Sequence, residues 1–362
     1  MNLKWSGLEQ KMAQAGIQTL LITDPKHVYY LTGFLSNPHE RFLGAVLQKG
    51  EEPLLIVPAL DEEAARAASD VKHIMTHQDT DNPYSLLKQA LKAEIGVLGL
   101  EKEHITVARF EQLCESLGFT EHQDIGSWLQ ELRVRKSPEE ISKMRHAVHL
   151  IERVLEESLK QVKEGVSENE LVAEVEYQIR KLGADGPSFD SMVLSGEKTA
   201  LPHGVPGTRT LRQGDLLMFD IGVYADGYAS DITRTFAFGE LTEEQVRIYN
   251  TVLEANKAAI KAIKPGVTFA TIDKAARDVI EEAGYGEYFI HRLGHGLGID
   301  VHEYPSVHGK NETLLSEGNV FTVEPGIYVP GVGGVRIEDD CLVTADGVEV
   351  LTSYPKELIF LK

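Results

Sequence analysis

The second half of the chain contains an internal repeat. The segments KEGVSENEL and KPGVTFATI place Gly165 and Gly266 at equivalent positions, 101 residues apart. Gly183 and Gly284, which end the helical patterns that follow, are separated by the same 101 residues. Two copies of one helix-and-strand unit are expected to pack together and share a core, since one copy cannot bury its apolar face alone. The repeat therefore predicts a pseudo-symmetric domain of two similar halves around one central site.

Each copy of the repeat ends in an apolar strand that carries a carboxylate. RQGDLLMFDIG (212–222) matches SEGNVFTVEPG (316–326) at an offset of 104 residues, which places Asp220 and Glu324 at the same point. A carboxylate in an apolar strand is costly unless it is paired or binds a cation. Two equivalent carboxylates therefore indicate a shared site.

A predicted hairpin brings a second aspartate to Asp220. Asp226-Gly227 is a typical two-residue hairpin turn, and Asp231 opens the next strand-like run. A loop at 225–226 would pair position 220 with 231, and a loop at 226–227 would pair it with 233. Both registers place Asp220 and Asp231 on one face.

Two later segments add histidines, a glutamate and an arginine. HRLGHGLGIDVHE carries His291, His295 and His302 among glycines that allow close packing. In GVRIEDD, strand alternation places Arg336 and Glu338 on one face. Together with the earlier carboxylates, the candidate ligands are two aspartates, two glutamates and one histidine. This oxygen-rich set suits manganese or cobalt better than a structural zinc, and it suits two metals about 3.5–4 Å apart.

The first part of the chain predicts a separate α/β domain. Apolar runs of strand length alternate with helical patterns, which favours a largely parallel sheet. The predicted strands are 18–24, 43–48, 53–60, 72–77 and 94–101. The predicted divisions are an N-terminal domain over 1–127, a linker over 128–136 and a catalytic domain over 137–362. Ser137 with Glu140, and Ser167 with Glu170, are capping-box pairs that start helices in the last of these.

Composition excludes several functional classes. The formal net charge of −20 argues against nucleic acid as a partner. No apolar run approaches the ~20 residues that span a bilayer, so no membrane partner is expected. Two cysteines without metal-type spacing, and no visible secretory signal, are typical of a cytoplasmic protein.

Five motifs, taken in chain order, resemble those of the pita-bread dinuclear metallopeptidases. They are DIG (220–222), SDITRT (230–235), GHGLG (294–298), EPGIY (324–328) and RIED (336–339). The N-terminal DPKHVYYLTGF (24–34) is similar to the domain shared by proline peptidases and creatinase. The resemblance covers essentially the whole chain. It implies a two-domain α/β protein with a small N-terminal α/β domain, followed by a pseudo-symmetric pita-bread α+β catalytic domain.

The resemblance also implies roles for individual residues. The implied metal ligands are Asp220, Asp231, His295, Glu324 and Glu338, with Asp231 and Glu338 bridging two divalent ions. Manganese is the expected metal, with cobalt or zinc as alternatives. The implied catalytic residues are His203, His302 and Glu324. The implied substrate-binding residues are His291, Arg336 and Tyr328.

The branch of the family is chosen by domain content and ligand set. About 125 additional N-terminal residues disfavour methionine aminopeptidase, and the intact ligand set disfavours creatinase, which works without metal. The expected function is hydrolysis of the bond before proline in Xaa-Pro dipeptides. The alternative is an aminopeptidase P that acts on longer proline-containing peptides, and a distant alternative is a non-enzymatic binding module. The resemblance further implies a homodimer.

Overall fold

The computed structural model describes residues 3–362 of the chain. The chain divides into two compact units, Met1–Leu132 and Arg133–Lys362. Residues 3–134 contain six α-helices: α1 (Leu3–Ala15), α2 (Pro25–Thr32), α3 (Glu62–Ala68), α4 (Pro83–Ala90), α5 (Val107–Leu117) and α6 (Gly126–Val134). Helix α6 occupies most of 128–136, so the segment predicted as a linker is largely helical.

The strands of residues 3–132 form one six-stranded sheet. They are β1 (Thr19–Ile22), β2 (Gly44–Gln48), β3 (Leu54–Pro58), β4 (His73–His77), β5 (Val97–Leu100) and β6 (Glu121–Asp124), in the order β4-β3-β2-β1-β5-β6. The first five lie within the predicted ranges. Strand β6 escaped prediction because its residues are all polar and exposed.

The sheet is mixed, whereas a largely parallel sheet was predicted. Strand β2 is antiparallel to both β1 and β3, while the β1–β5, β5–β6 and β3–β4 pairs are parallel. For the β2–β3 pair the physical reason is the short connection over 49–53. A parallel pair needs a crossover of a dozen or more residues, so this loop can only close an antiparallel hairpin.

The second unit contains two helix pairs. The helices are α7 (Pro138–Leu159), α8 (Glu168–Lys181), α9 (Glu243–Ala262) and α10 (Phe269–Glu282). Both predicted capping boxes are present: Ser137 and Glu140 start α7, and Ser167 and Glu170 start α8. Short 3-10 turns occur at Gly196–Ala200 and Gly286–Tyr288 in this unit and at Ala59–Asp61 in the first unit.

The strands of the second unit form several small sheets. They are β7 (Gly186–Pro187), β8 (Met192–Ser195), β9 (Asp215–Ile221), β10 (Val223–Ala225), β11 (Tyr228–Ala229), β12 (Ile232–Phe238), β13 (Gly294–Gly296), β14 (Glu303–Val307), β15 (Val320–Val323), β16 (Gly326–Val329), β17 (Gly333–Arg336), β18 (Asp339–Val343), β19 (Val348–Val350) and β20 (Phe360–Leu361). The sheet orders are β11-β10-β7, β20-β12-β9-β8, β14-β13-β15-β18-β19 and β16-β17.

The two copies of the repeat have matching local structures. Gly165 and Gly266 both have φ +84°, a left-handed conformation that favours glycine. Their backbone N–H groups donate to Leu211 and Leu315 at 2.9 Å, and these two acceptors are 104 residues apart. Isolated bridges that follow, Ser167 with Thr210 and Thr268 with Leu314, repeat the same relation.

Each helix pair also packs against the strands of its own copy. One buried cluster joins α7 and α8 to β9 and includes Ile151, Leu171 and Phe219. Another joins α9 and α10 to β15 and includes Ile272 and Phe321. Because β9 carries Asp220 and Glu324 directly follows β15, the duplicated packing supports both carboxylates. Within the described residues, no helix is both long enough and apolar enough to cross a membrane.

Candidate active site

The β-hairpin built around β9 and β12 positions the two aspartates. Asp226 and Gly227 both have positive φ, +53° and +76°, as a type I′ turn requires. Asp220 pairs with Thr233, so the loop lies at 226–227, the second of the two predicted registers. Asp220 and Asp231 line the same cavity, as the shared face predicted.

The strands of the second copy bring the histidine and both glutamates to that cavity. His295 lies in β13, which pairs with β15 through Gly296 and Phe321. A Cβ atom added at Gly294 would lie only 2.0 Å from the Thr322 carbonyl oxygen, so the close approach of β13 to its neighbour requires glycine there. Glu324 follows β15, and Glu338 lies between β17 and β18.

One cavity of about 480 Å³ collects nine of the ten predicted site residues. They are His203, Asp220, Asp231, His291, His295, His302, Glu324, Arg336 and Glu338. The tenth, Tyr328, is not among the lining residues. Its hydroxyl nevertheless accepts a hydrogen bond from Arg336 Nη1 at 2.7 Å and lies 2.9 Å from His291 Nε2.

The imidazole of His295 is oriented as a ligand. Its Nδ1 lies 3.2 Å from the carbonyl oxygen of Gly296, so Nδ1 carries the proton and donates it. The unprotonated Nε2 faces Glu324 Oε1 at 3.4 Å and Asp231 Oδ2 at 3.7 Å. Burial lowers the pKa of His295 to about 3, so the ring is neutral and free to bind a cation.

Too little positive charge surrounds the carboxylates of the site to balance their negative charge. Donor atoms of Asp231, His295 and Glu338 lie within 4.8 Å of one another. Burial and the neighbouring carboxylates raise the pKa of Asp231 and of Glu338 well above the ordinary range. Burial raises the pKa of Glu324 to about 7. Asp231 Oδ1 is buried without a hydrogen-bond partner among residues 3–362. These residues therefore fit divalent cations, which would replace the missing positive charge.

Two threonines that the sequence analysis did not select orient the ligands. Thr233 Oγ1 donates to Glu338 Oε2 at 2.6 Å. Thr322 Oγ1 accepts from the backbone N–H of His295 at 3.1 Å and lies 3.4 Å from Glu324 Oε1. Each threonine is two residues from a candidate ligand, Asp231 or Glu324, so strand alternation was a usable signal for both.

Arg336 forms a hydrogen bond to a neighbouring side chain through each of its three guanidinium nitrogens. It is buried, and its Nε donates to Thr233 Oγ1 at 3.1 Å while Nη1 donates to Tyr328. Its Nη2 donates to Asp220 Oδ2 in a short ion pair. Each guanidinium nitrogen thus already has a partner within the protein.

Arg292 differs from Arg336 and was also missed by the sequence analysis. It is partly buried and lines the cavity. Its Nη1 donates to Ser306 Oγ at 3.2 Å, and within residues 3–362 its other guanidinium N–H groups have no partner. The signal was present in HRLGHG, where a cation lies between two histidines of the site.

A buried ion-pair network supports the segment that carries His302. The adjacent Glu303 pairs with Lys136 and Arg133, and Arg133 also pairs with Asp300 at 2.7 Å. Burial alone would raise the pKa of Glu303, but the two cations hold the pKa below its ordinary value. The network links the start of the second unit to the wall of the cavity. It was not predicted, because its cations and its carboxylates are more than 160 residues apart in the chain.

Comparison with known proteins agrees with this geometry. The model of metallopeptidase family M24 matches residues 142–345, and the creatinase/prolidase N-terminal domain matches residues 4–135. The chain therefore belongs to metallopeptidase family M24 and carries the creatinase/prolidase type of N-terminal domain.

Relatives extend over the whole chain. A Bacillus subtilis protein named "Putative dipeptidase YkvY" is 48% identical over 353 residues, covering 97% of each chain. A solved Xaa-Pro dipeptidase from Bacillus anthracis is 37% identical with a TM-score of 0.93, covering 99% of each chain. A solved X-Pro aminopeptidase from Thermotoga maritima is 33% identical with a TM-score of 0.89, covering 97% of this chain and 100% of its own. The predicted family and fold are confirmed.

Proposed function

We propose that this metallopeptidase hydrolyses Xaa-Pro dipeptides at the bond before proline. The observation that carries the proposal is the pairing, in one cavity, of the ligand cluster with a guanidinium that has unused donors. A dipeptide places its C-terminal carboxylate close to the scissile bond, whereas a longer peptide has an amide there. A free cationic donor beside the ligands therefore favours a substrate with a nearby carboxylate.

Two divalent cations would be held by Asp220, Asp231, His295, Glu324 and Glu338, with Asp231 and Glu338 as the shared ligands. The ions would supply Lewis acidity that activates water and polarises the peptide carbonyl. Manganese is the proposed metal, since the set is rich in oxygen, and cobalt or zinc are alternatives.

The remaining chemistry belongs to side chains that face the cavity. A carboxylate oxygen of Glu324 accepts the proton of the attacking water and passes it toward the leaving proline nitrogen. His302 and His203 are solvent-accessible residues of the cavity wall, where they can contact a bound peptide. His302 stabilises the developing oxyanion, and His203 hydrogen-bonds the reacting amide.

His291, Tyr328 and Arg336 form the wall proposed for the proline ring. His291 Nδ1 donates to the Arg292 carbonyl at 2.7 Å, and burial lowers the pKa of His291 to about 4. Its Nε2 therefore accepts from Tyr328, whose hydroxyl in turn accepts from Arg336. The contacts of Arg336 favour compensation of the Asp220 charge over binding of the substrate carboxylate. Recognition of the substrate carboxylate then falls to Arg292.

The experiment that tests the function compares Xaa-Pro with Xaa-Pro-Yaa-Zaa as substrates of the metal-loaded protein. We expect kcat/KM for the dipeptide to exceed that for the tetrapeptide at least tenfold. A preference for the tetrapeptide would establish the aminopeptidase P alternative. Cleavage of neither peptide, with two ions bound, would favour a binding module.

We also propose a cytoplasmic homodimer that binds neither nucleic acid nor membrane. The resemblance to the proline peptidases supports the dimer, and the net charge of −20 disfavours binding to phosphate backbones. Light scattering coupled to size exclusion tests the dimer, with an expected mass of twice 40.1 kDa.

A further inference from the structure

The N-terminal unit contains a second cluster of residue types that bind metals. Donor atoms of Asp24, His27 and Glu101 lie within 4.8 Å of one another. His104 Nδ1 lies 3.8 Å from Asp24 Oδ2, which brings a second imidazole to the same place. None of these residues belongs to the cavity described above.

The cluster is assembled by the sheet. Strands β1 and β5 are adjacent and parallel, so their carboxyl ends lie at the same edge. Asp24 follows β1 and begins α2, His27 lies in the first turn of α2, and Glu101 directly follows β5. His104 belongs to the loop after β5. Four side chains from two local segments, 24–27 and 101–104, therefore converge at one sheet edge.

In each carboxylate one oxygen accepts backbone hydrogen bonds, and the other oxygen faces an imidazole. Glu101 Oε2 accepts from the backbone N–H groups of Thr23 at 2.6 Å and Asp24 at 3.0 Å, while Oε1 makes a short contact with His27 Nδ1. Asp24 Oδ1 accepts from the Lys26 N–H at 2.8 Å, while Oδ2 faces His104. Metal sites characteristically have hydrogen bonds to the ligand atoms that do not bind the metal, because these bonds fix the orientation of the ligand.

The two carboxylates of the cluster are paired with imidazoles alone within residues 3–362. Glu101 is only 3% exposed, and within residues 3–362 neither it nor Asp24 is paired with a lysine or arginine. His27 is 8% exposed, and its Nε2 has no hydrogen-bond partner among the described residues. The buried imidazole of His27, which lies beside two carboxylates, therefore has one ring nitrogen without a hydrogen bond to the described residues. A bound cation would compensate the charge of the two carboxylates.

We propose that Asp24, His27, Glu101 and His104 bind one divalent cation of the zinc type. Two imidazoles and two carboxylates are a four-ligand set that zinc accepts in tetrahedral geometry. Ligands at the usual zinc distance of about 2.0–2.1 Å lie roughly 3.4 Å apart, so the short His27–Glu101 contact would open and the wider separations, all within 4.8 Å, would close around the ion. The ion would join β1, β5 and α2, and so stabilise the N-terminal unit independently of peptidase activity.

The test measures zinc bound by the full chain in a background where the catalytic centre is disabled. The double variant D231N/E338Q removes both proposed shared ligands of that centre. We expect this background to retain one zinc per chain after desalting, measured by elemental analysis. Cobalt in its place is expected to give the intense visible absorption typical of tetrahedral coordination.

Two further substitutions in that background locate the ion. His27→Gln is expected to abolish the retained zinc, whereas the control His73→Gln, at an exposed histidine of the same unit, is expected to keep it. Because a change at buried His27 could impair folding, His104→Asn provides a second variant at a more exposed position. We expect it to weaken zinc binding at least tenfold. Absence of zinc from the background, or full zinc in both variants, would overturn the proposal.

Discussion

Substituting Arg292 by methionine tests how the substrate carboxylate is recognised. Methionine keeps much of the length of the side chain while it removes the guanidinium, so the cavity wall remains filled. Only the bond to Ser306 Oγ is lost within the protein, because the other N–H groups of Arg292 are unpaired within residues 3–362. The folded state should therefore tolerate the change, and the main loss should occur in the complex with substrate.

The magnitude follows from the environment of Arg292. A hydrogen bond to a charged group contributes about 1.5–3 kcal/mol, and partial exposure of Arg292 favours the lower half of that range. A loss of about 2 kcal/mol in transition-state binding corresponds to roughly a 30-fold fall in kcat/KM for Xaa-Pro. The amide Xaa-Pro-NH2 carries no charge at that end, so its kcat/KM should fall less than about threefold.

The assay is steady-state cleavage of the acid and the amide by wild type and variant at equal metal content. Ser306→Ala is the matched control, because it removes the hydrogen-bond acceptor of Arg292 and keeps the charge. We expect that control to lose much less than the methionine variant on the acid. Equal losses on acid and amide in Arg292→Met would refute the recognition of the carboxylate by Arg292.

Further predictions address the metals, the buried arginine and pH. Exhaustive chelation should abolish peptidase activity and manganese or cobalt should restore it, whereas full activity in metal-free protein would exclude the dinuclear centre. Asp231→Asn should reduce binding of both ions and lower kcat at least 100-fold, whereas Asp226→Asn, at the hairpin turn, should keep two ions and near-normal turnover. Arg336→Met should lower cleavage of Xaa-Pro and of Xaa-Pro-NH2 equally and alter metal affinity. A loss confined to Xaa-Pro would instead indicate that Arg336 binds the substrate carboxylate. The pKa of Glu303 is lower in the folded than in the unfolded protein, so ionised Glu303 should stabilise the fold above the unfolded pKa of about 4.3. This stabilisation should be lost as the pH falls through the folded pKa. Glu303→Gln should therefore make the unfolding midpoint, measured by denaturant titration, depend less on pH in the acid range.

Local features of the chain were predictable from the sequence because their causes lie within a few residues. The capping boxes at Ser137 and Ser167 depend on contacts three residues apart. The turn at Asp226-Gly227 depends on two backbone conformations that these residues adopt readily. The candidate ligands could be selected for a related reason, since each lies in a short motif and the repeat equates Asp220 with Glu324.

The tertiary structure decided which charges are free and which are already paired. Arg336 and Arg292 both lie beside motif residues, yet Arg336 is held by Asp220 across 116 residues and Arg292 keeps unused donors. No local pattern contains that difference, because it depends on the packing of one half of the repeat against the other.

The same limit applies to the cluster of the N-terminal unit. His27 and Glu101 are 74 residues apart and meet only because β1 and β5 are parallel neighbours. Sequence determines which residues can carry charge or bind a cation, since that is a property of the side chain. Which of them face one another is decided by strand order and register, since burial and long-range pairing act on the folded chain as a whole.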